Sequence, residues 1–378
     1  MKYLSLDVFD DFVCIGSDCP DTCCSGWLIF VDEDSVDTYR NIPGEFGDKL
    51  RENVITEDGL SYFRMINEDC AFLTEQKLCE ICLKLGEEKM CHTCKTYPRF
   101  DKPYGDILFH GLNLSCPEVA RKVLTHKESI RFDFMETENA DSDTARETDW
   151  VLFNILVNGL TTGINVVQKR DISLSDRLGL LILFNDALQE CLDSGEECTS
   201  IFEAFAPERL ECYLDAIHAI PVNPNAGITF LSNFIKNLDY IPEFGILMPL
   251  IEGIKRTFSD DNPLEALDEF HKSSDWTLAV DNSILCEQYC VYFLFSHYMD
   301  AYSSKKPLKC VALLIYLLYI QNCISNFKMR EGNRVLLDKE YIEIYSKVAR
   351  FFEHSRKEKR LNSLYQMNIE AGLADTVF

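Results

Sequence analysis

The sequence has no uninterrupted apolar run of the length that crosses a bilayer. Its longest, Val311–Ile320, spans ten residues, against the about 20 that a membrane helix needs, and it reads as a buried core helix. A secretory leader is not expected either, because Asp7, Asp10 and Asp11 interrupt the N-terminus where such a leader needs an uninterrupted apolar stretch. Basic residues are scarce: 37 Lys and Arg stand against 62 Asp and Glu, a net charge of −25. Phosphate backbones bind clustered cations, so nucleic acid is not an expected partner, and neither is an anionic membrane surface. There is no G-x-G-x-x-G after a strand, no repeat of fixed period and no low-complexity tract. These absences predict a cytoplasmic protein without the usual dinucleotide-binding turn.

What is present is a globular chain of 378 residues, 47% hydrophobic, with an uneven distribution of thiols. Length alone predicts two domains or three. Ten of the 17 cysteines lie in the first 116 residues. In a reducing compartment such density points to metal or catalysis rather than disulfides, and an odd total cannot be fully paired. The pattern reads Cys14-x4-Cys19-x3-Cys23-Cys24, then Cys70, then Cys79-x2-Cys82, Cys91-x2-Cys94 and Cys116. A two-residue spacer brings both sulfurs onto one ion, which makes the two CxxC pairs a metal signal. Cys91-His92-Thr93-Cys94 alone could also be a redox pair, but no βαβ pattern surrounds it. Cysteines scattered singly over a hundred residues suit an iron–sulfur cluster, and zinc stays open as the alternative.

Beyond the cysteines the texture becomes helical. Trp150, Phe153, Leu156 and Leu160 recur at a spacing of three to four, as do Leu178, Leu181, Ile182 and Leu188 after the cap candidates Ser173 and Ser175. Further helices are predicted around 200–219, 228–239, 263–272, 276–302, 307–328 and 338–360. In the first part, Asp32 to Asn41 resembles a short capped helix, and Gly26–Val31 and Ile107–Phe109 read as strands. The expected fold is mainly α: an irregular cysteine-rich metal-binding module with short strands over 1–118, a polar linker over 119–145, and an all-helical domain over 146–378.

Phe12-x-Cys14-x4-Cys19-x3-Cys23-Cys24-x-Gly26-Trp27 resembles the opening signature of the flagellin lysine N-methylase family. The likeness continues through Cys70-Ala71-Phe72-Leu73, Leu78-Cys79-x-Ile81, Gly86-Glu87, Cys91-x2-Cys94-x2-Tyr97-Pro98-Arg99 and Leu114-Ser115-Cys116-Pro117-Glu118. Several pieces are also similar to zinc- or iron-chelating cysteine domains. The motifs cover roughly the first third of the chain. The resemblance implies methyl transfer from S-adenosyl-L-methionine to lysine ε-amines of flagellin, with a [4Fe-4S] cluster in the enzyme. Its metal-ligand candidates are Cys14, Cys19, Cys23, Cys24, Cys70, Cys79, Cys91, Cys94 and Cys116; Cys82 falls outside the family pattern.

Polar transfer needs a neutral amine, although a free lysine has a pKa near 10.4, so burial and a base are required. Tyr97 and the acids of the cysteine module are the candidates. Radical transfer stays open beside it, though the usual C-x3-C-x2-C loop is broken by Cys24. Trp27 beside Gly26 could stack on adenine or pack in a core, and Arg99 could clamp a carboxylate or pair with an acid. Gly159 and Gly163 lie in an amphipathic pattern and read as helix packing. Cys286, Cys290, Cys310 and Cys323 read as buried small hydrophobes, His92 as an exposed spacer, and Arg356–Arg360 as a solvated helix end. Two other functions remain: a non-enzymatic zinc domain joined to a helical interaction domain, and an iron–sulfur redox protein.

Overall fold

A computed structural model describes residues 2–136, 148–219, 283–332 and 334–354. The helices expected over 228–239 and 263–272, the start of that over 276–302, and the Arg356–Arg360 run lie outside the described residues.

The chain opens with β1 (Lys2–Leu6), then α1 (Glu33–Arg40) and α2 (Gly44–Asn53). Asp32 caps α1 by accepting from Ser35 N at 2.9 Å, which fits the capped helix read from the sequence. A hairpin follows, β2 (Val54–Glu57) and β3 (Leu60–Phe63). Its Asp58-Gly59 turn has φ of 51° and 78°, as right-handed strand twist demands of a two-residue hairpin. Next come β4 (Met65–Ile66), β5 (Asp69–Cys70), α3 (Glu80–Leu85) and α4 (His92–Thr96). Strands β6 (Arg99–Tyr104) and β7 (Ile107–Leu112), helix α5 (Pro117–Leu124) and strand β8 (Phe132–Glu136) complete the first part. β6, β7, β1 and β8 form one sheet in that order; β1 runs parallel to β7 and antiparallel to β8.

Two expectations change here. Gly26–Val31 is not a continuous strand: Gly26 takes φ 79°, and the pairing to β3 is confined to Ile29–Val31, through the Phe30–Tyr62 bridge and the bonds Val31 N to Ser61 O, 2.8 Å, and Phe63 N to Ile29 O, 3.0 Å. Residues 119–136, read as part of a linker, hold most of α5 and all of β8. Val119, Ala120, Val123 and Leu124 form a buried stripe at helical spacing, and that stripe outweighs the polar residues around 125–129.

The remaining described elements are helical. They are α6 (Trp150–Val167), α7 (Leu174–Ser194), α8 (Thr199–Ala204), α9 (Leu214–His218), α10 (Ser283–His297), α11 (Ala301–Ser304), α12 (Pro307–Gly332) and α13 (Asp338–His354). Ser173 caps α7 through Asp176 N, and Gly195 ends it in the left-handed region. The fold is thus mainly α with a short-strand N-terminal part.

Two apolar cores result. The smaller holds Cys24, Ile29, Tyr39, Leu50, Phe63, Cys70, Phe72, Ile81 and Cys91 among its buried residues. The larger joins β1, β7 and α5 to the helices, through Leu6, Phe9, Phe109, Val119, Phe153, Phe184, Phe295 and Leu314. By length and hydropathy, Trp150–Val167 and Pro307–Met329 could cross a membrane, but 50% and 59% of those spans are buried inside the structure. Val311, Leu314 and Leu317 are core residues, as expected of Val311–Ile320. Cys286 and Cys290 are buried, and Cys310 packs against the larger core.

One buried charge cluster ties this core together. Glu287 receives Arg170 at 2.9 Å and Arg177 at 2.8 Å. Gly159 and Gly163 let α6 approach its neighbours, as the packing reading requires: a Cβ on Gly159 would stand 2.7 Å from Tyr298 Oη, and one on Gly163 3.1 Å from Leu181 Cδ1. Gly159→Ala is therefore expected to lower the unfolding free energy by about 1–2 kcal/mol, overpacking exceeding the gain in helix propensity. Gly163→Ala should be milder, since a flexible leucine tip can move aside. Chemical denaturation of the two variants measures the difference.

Candidate metal and cofactor site

Three of the candidate cysteines sit where a helix begins. Cys79, Cys91 and Cys116 are the N-cap residues of α3, α4 and α5. Their sulfurs face backbone amides: Ile81 and Cys82 for Cys79, Cys94 for Cys91, Glu118 and Val119 for Cys116. Amides and the positive helix end favour thiolate over thiol. Cys24 and Cys70 are fixed beside each other by a Cys70 N to Cys24 O bond of 2.7 Å.

The fold brings these sulfurs into a common electrostatic neighbourhood. The neighbouring Cys23 and Cys79 sulfurs, with burial, push the Cys24 thiol far up. The Cys24 thiol beside it pulls Cys79 down to about 6, aided by the two amides and opposed by burial. Cys23 is lowered by the Cys24 thiol and by the positive charge of Arg350. Cys91 is lowered by the Cys94 thiol, and Cys94 is raised by Cys91 and by burial. Cys70 is pushed up to about 12, by burial and then by the charges of Cys79, Cys91 and Cys23. A second neighbourhood lies beside the first. Burial raises Cys116 to about 12, with Cys19 and Cys14 adding to it, and Cys19 is raised by burial while facing Cys14 and Cys23. Cys82 is half-buried at the edge, near Cys79, Glu87 and Glu88.

Among the described residues, no three His, Cys, Asp or Glu side chains form a ready ligand set. In chemistry the donor set fits a thiophilic ion or an iron–sulfur cluster, being all sulfur, partly ionised and backed by amides.

A seam with α13 adjoins these thiols. Trp27 lies 4.3 Å from His354 and 5.6 Å from Tyr97 between ring centroids, and its Nε1 donates to Cys23 O at 2.8 Å. Ser115 Oγ is 2.8 Å from His354 Nε2 and 3.2 Å from Tyr97 Oη. Glu353 accepts from Ser115 N at 3.1 Å and from Tyr292 Oη at 2.8 Å. Arg350, 2% exposed, reaches Asp21 Oδ2 at 2.9 Å, Ser25 O at 3.3 Å and Ser115 O at 3.2 Å.

Burial pushes the Tyr97 phenol well above its ordinary range, with smaller opposing effects of Arg350 and Ser115. It therefore keeps its proton at neutral pH. His354 is lowered, by burial and the charge of Arg350 against that of Glu353, so it is neutral at pH 7 and able to accept. Gly26 is held at the turn by Gly26 N to Glu68 O, 2.9 Å. Arg99 is exposed on β6, its guanidinium 5.3 Å from the Phe12 ring centre, and His92 is exposed. Sequence reading missed Arg350, Ser115, Glu353 and His354 as neighbours of the thiols. Ser115 lies inside the Leu114–Glu118 motif, but Arg350, Glu353 and His354 carry no local signal, since Arg350 stands 325 residues from Ser25.

In the metal-free protein, iodoacetamide at pH 7 should modify Cys79 ahead of Cys70 and Cys116, because only thiolate reacts. Peptide mass spectrometry over time reads the order; Cys70 or Cys116 reacting first contradicts the lowered pKa of Cys79 beside the raised ones of Cys70 and Cys116.

Comparison with known proteins adds a second line of information. A family model described as the FliB lysine N-methylase C-terminal domain matches residues 161–374, more than half of the chain. Among curated relatives, the flagellar biosynthetic protein FliU of Salmonella muenchen is 28% identical over 131 residues, 32% of this chain and 75% of that protein. The lysine-N-methylases of Salmonella typhimurium and Salmonella choleraesuis are each 30% identical over 127 residues. Those matches span 32% of this chain and 31% of each methylase. No solved structure matches the chain. With more than half of its length on the family model, the chain belongs to the FliB lysine N-methylase C-terminal domain family.

Proposed function

We propose that the protein is a lysine N-methyltransferase that moves methyl groups from S-adenosyl-L-methionine to lysine side chains of flagellin, with a [4Fe-4S] cluster held in its cysteine module. Membership of the lysine N-methylase family carries this reading. The flagellar name of one relative and the lysine-N-methylase name of two others support flagellin lysines as the target.

The cysteines of the first neighbourhood would hold the cluster: Cys79, Cys91 and Cys94 with Cys23 or Cys24, and with Cys70 alongside. Bound there, a cluster would supply electron transfer or a Lewis-acidic iron for the methyl donor. The chain's own residues would do the rest. Helix N-termini at Cys79 and Cys91 favour the thiolate form of these sulfurs. The Trp27 and Tyr97 rings offer an aromatic face next to the thiols, suited to an adenine. Neutral His354, hydrogen-bonded to Ser115, is the group able to take a proton from a lysine ammonium, and desolvation beside it would lower the lysine's own hold on that proton. Cytoplasmic placement belongs to the same proposal, since free thiol ligands persist in a reducing interior.

Anaerobic protein incubated with S-adenosyl-L-methionine and purified flagellin should add single-methyl mass increments to flagellin lysines. Cys91→Ser should remove the increments together with the bound iron. Unmodified flagellin alongside fully iron-loaded protein would reject the substrate. Stoichiometric zinc with no methyl transfer would favour a zinc-binding interaction domain.

A further inference from the structure

Arg350 belongs to α13, yet most of its polar contacts lie in the cysteine-rich part of the chain. Its Nη1 meets Asp21 Oδ2 at 2.9 Å and Ser25 O at 3.3 Å, and its Nη2 meets Ser115 O at 3.2 Å. Asp21 and Ser25 flank Cys23-Cys24, and Ser115 precedes Cys116. One guanidinium therefore spans two separate chain segments, each of which presents candidate ligands. The side chain is 2% exposed, and its Nε has no hydrogen-bond partner among the described residues. Burying a cation with one donor unsatisfied is unfavourable, and packing alone offers no return for it at a site where a methionine would fill the same volume.

We propose that Arg350 is the positioning residue through which the helical part of the chain sets the geometry of the cysteine site. It clamps the Asp21–Ser25 loop against the Ser115-Cys116 turn, so that Cys23, Cys24 and Cys116 hold their spacing only while α13 is docked. Lysine cannot substitute, because it lacks the planar fork that serves two segments at once. The contact is specific to this pair of regions: Glu353 and His354, one helical turn further on, bind the same Ser115 through its N and Oγ, leaving its carbonyl to Arg350. The metal half of this inference rests on the proposed cluster; the clamp itself does not.

Full-length wild type, Arg350→Met, Arg350→Lys and Asp21→Asn test it, with circular dichroism checking that each folds. In the metal-free proteins, maleimide labelling of buried Cys24 is timed by peptide mass spectrometry against exposed Cys212 as internal reference. Cys24 labelling should speed up by about tenfold in Arg350→Met, as local opening follows the loss of a buried charge partner. Arg350→Lys should stay close to Arg350→Met, and Asp21→Asn should fall between Met and wild type. After anaerobic reconstitution, the variants should lose iron to a chelator faster in that same order. Equal Cys24 labelling in wild type and Asp21→Asn, together with equal labelling in whichever Arg350 variants fold, overturns the clamp. Should wild type bind no iron at all, the cluster reading fails while the labelling arm still decides the role of Arg350.

Discussion

Five thiols of one small core, Cys24, Cys70, Cys79, Cys91 and Cys94, with exposed Cys23 beside them, cannot all ionise. Cys23, Cys79 and Cys91 are drawn toward thiolate first by the neighbouring thiols of Cys24 and Cys94, and then by Arg350 at Cys23 and by backbone amides at Cys79 and Cys91. Each thiolate raises its neighbours, and Cys70 stays a thiol for that reason as well as for burial. Coupled groups of this kind titrate as a set. A cation is the one partner that would let more of them ionise together, and the arrangement of helix N-termini already leans that way. The core around them is modest, and three of its buried members are Cys24, Cys70 and Cys91. Small cores of this kind depend on a staple, so the constraint that shapes the chemistry also shapes the stability.

The larger core supplies what the smaller one lacks. The sheet of β6, β7, β1 and β8 brackets the cysteines in sequence, with β1 before Cys14, β6 and β7 between Cys94 and Cys116, and β8 after Cys116, but packs with the helices, through Leu6, Phe109 and Leu112. The cysteine segment is therefore an excursion mounted on a helical scaffold. Arg350, Glu353 and His354 close the joint from the scaffold side. The family match to residues 161–374 covers that scaffold, including α13, while the thiols come from the excursion. An activity that needs both would depend on the joint between them.

Local chemistry was readable and distant chemistry was not. Asp32 and Ser173 announced their helices because a cap is decided within three residues. Gly159 and Gly163 declared a packing face for the same reason. The extended look of Gly26–Val31 misled in part, since Gly26 turns at a positive φ and only Ile29–Val31 finds a partner, in β3. Polar residues around 125–129 hid the apolar stripe of α5. Of the site, the cysteines were legible from their spacing, yet their division into two neighbourhoods was not. Pairings such as Ser115 with His354, 239 residues apart, leave no trace in a local pattern, because nothing nearby records which distant segment a chain will meet.

Anaerobically purified protein examined by X-ray absorption at the iron and zinc edges tests the central claim most directly: that the thiols of residues 23–94 form a metal centre. The account predicts iron in an all-sulfur shell with a short iron–iron vector, lost when Cys79 and Cys91 are both replaced by serine. Absence of bound metal, or a shell dominated by oxygen and nitrogen, would contradict it.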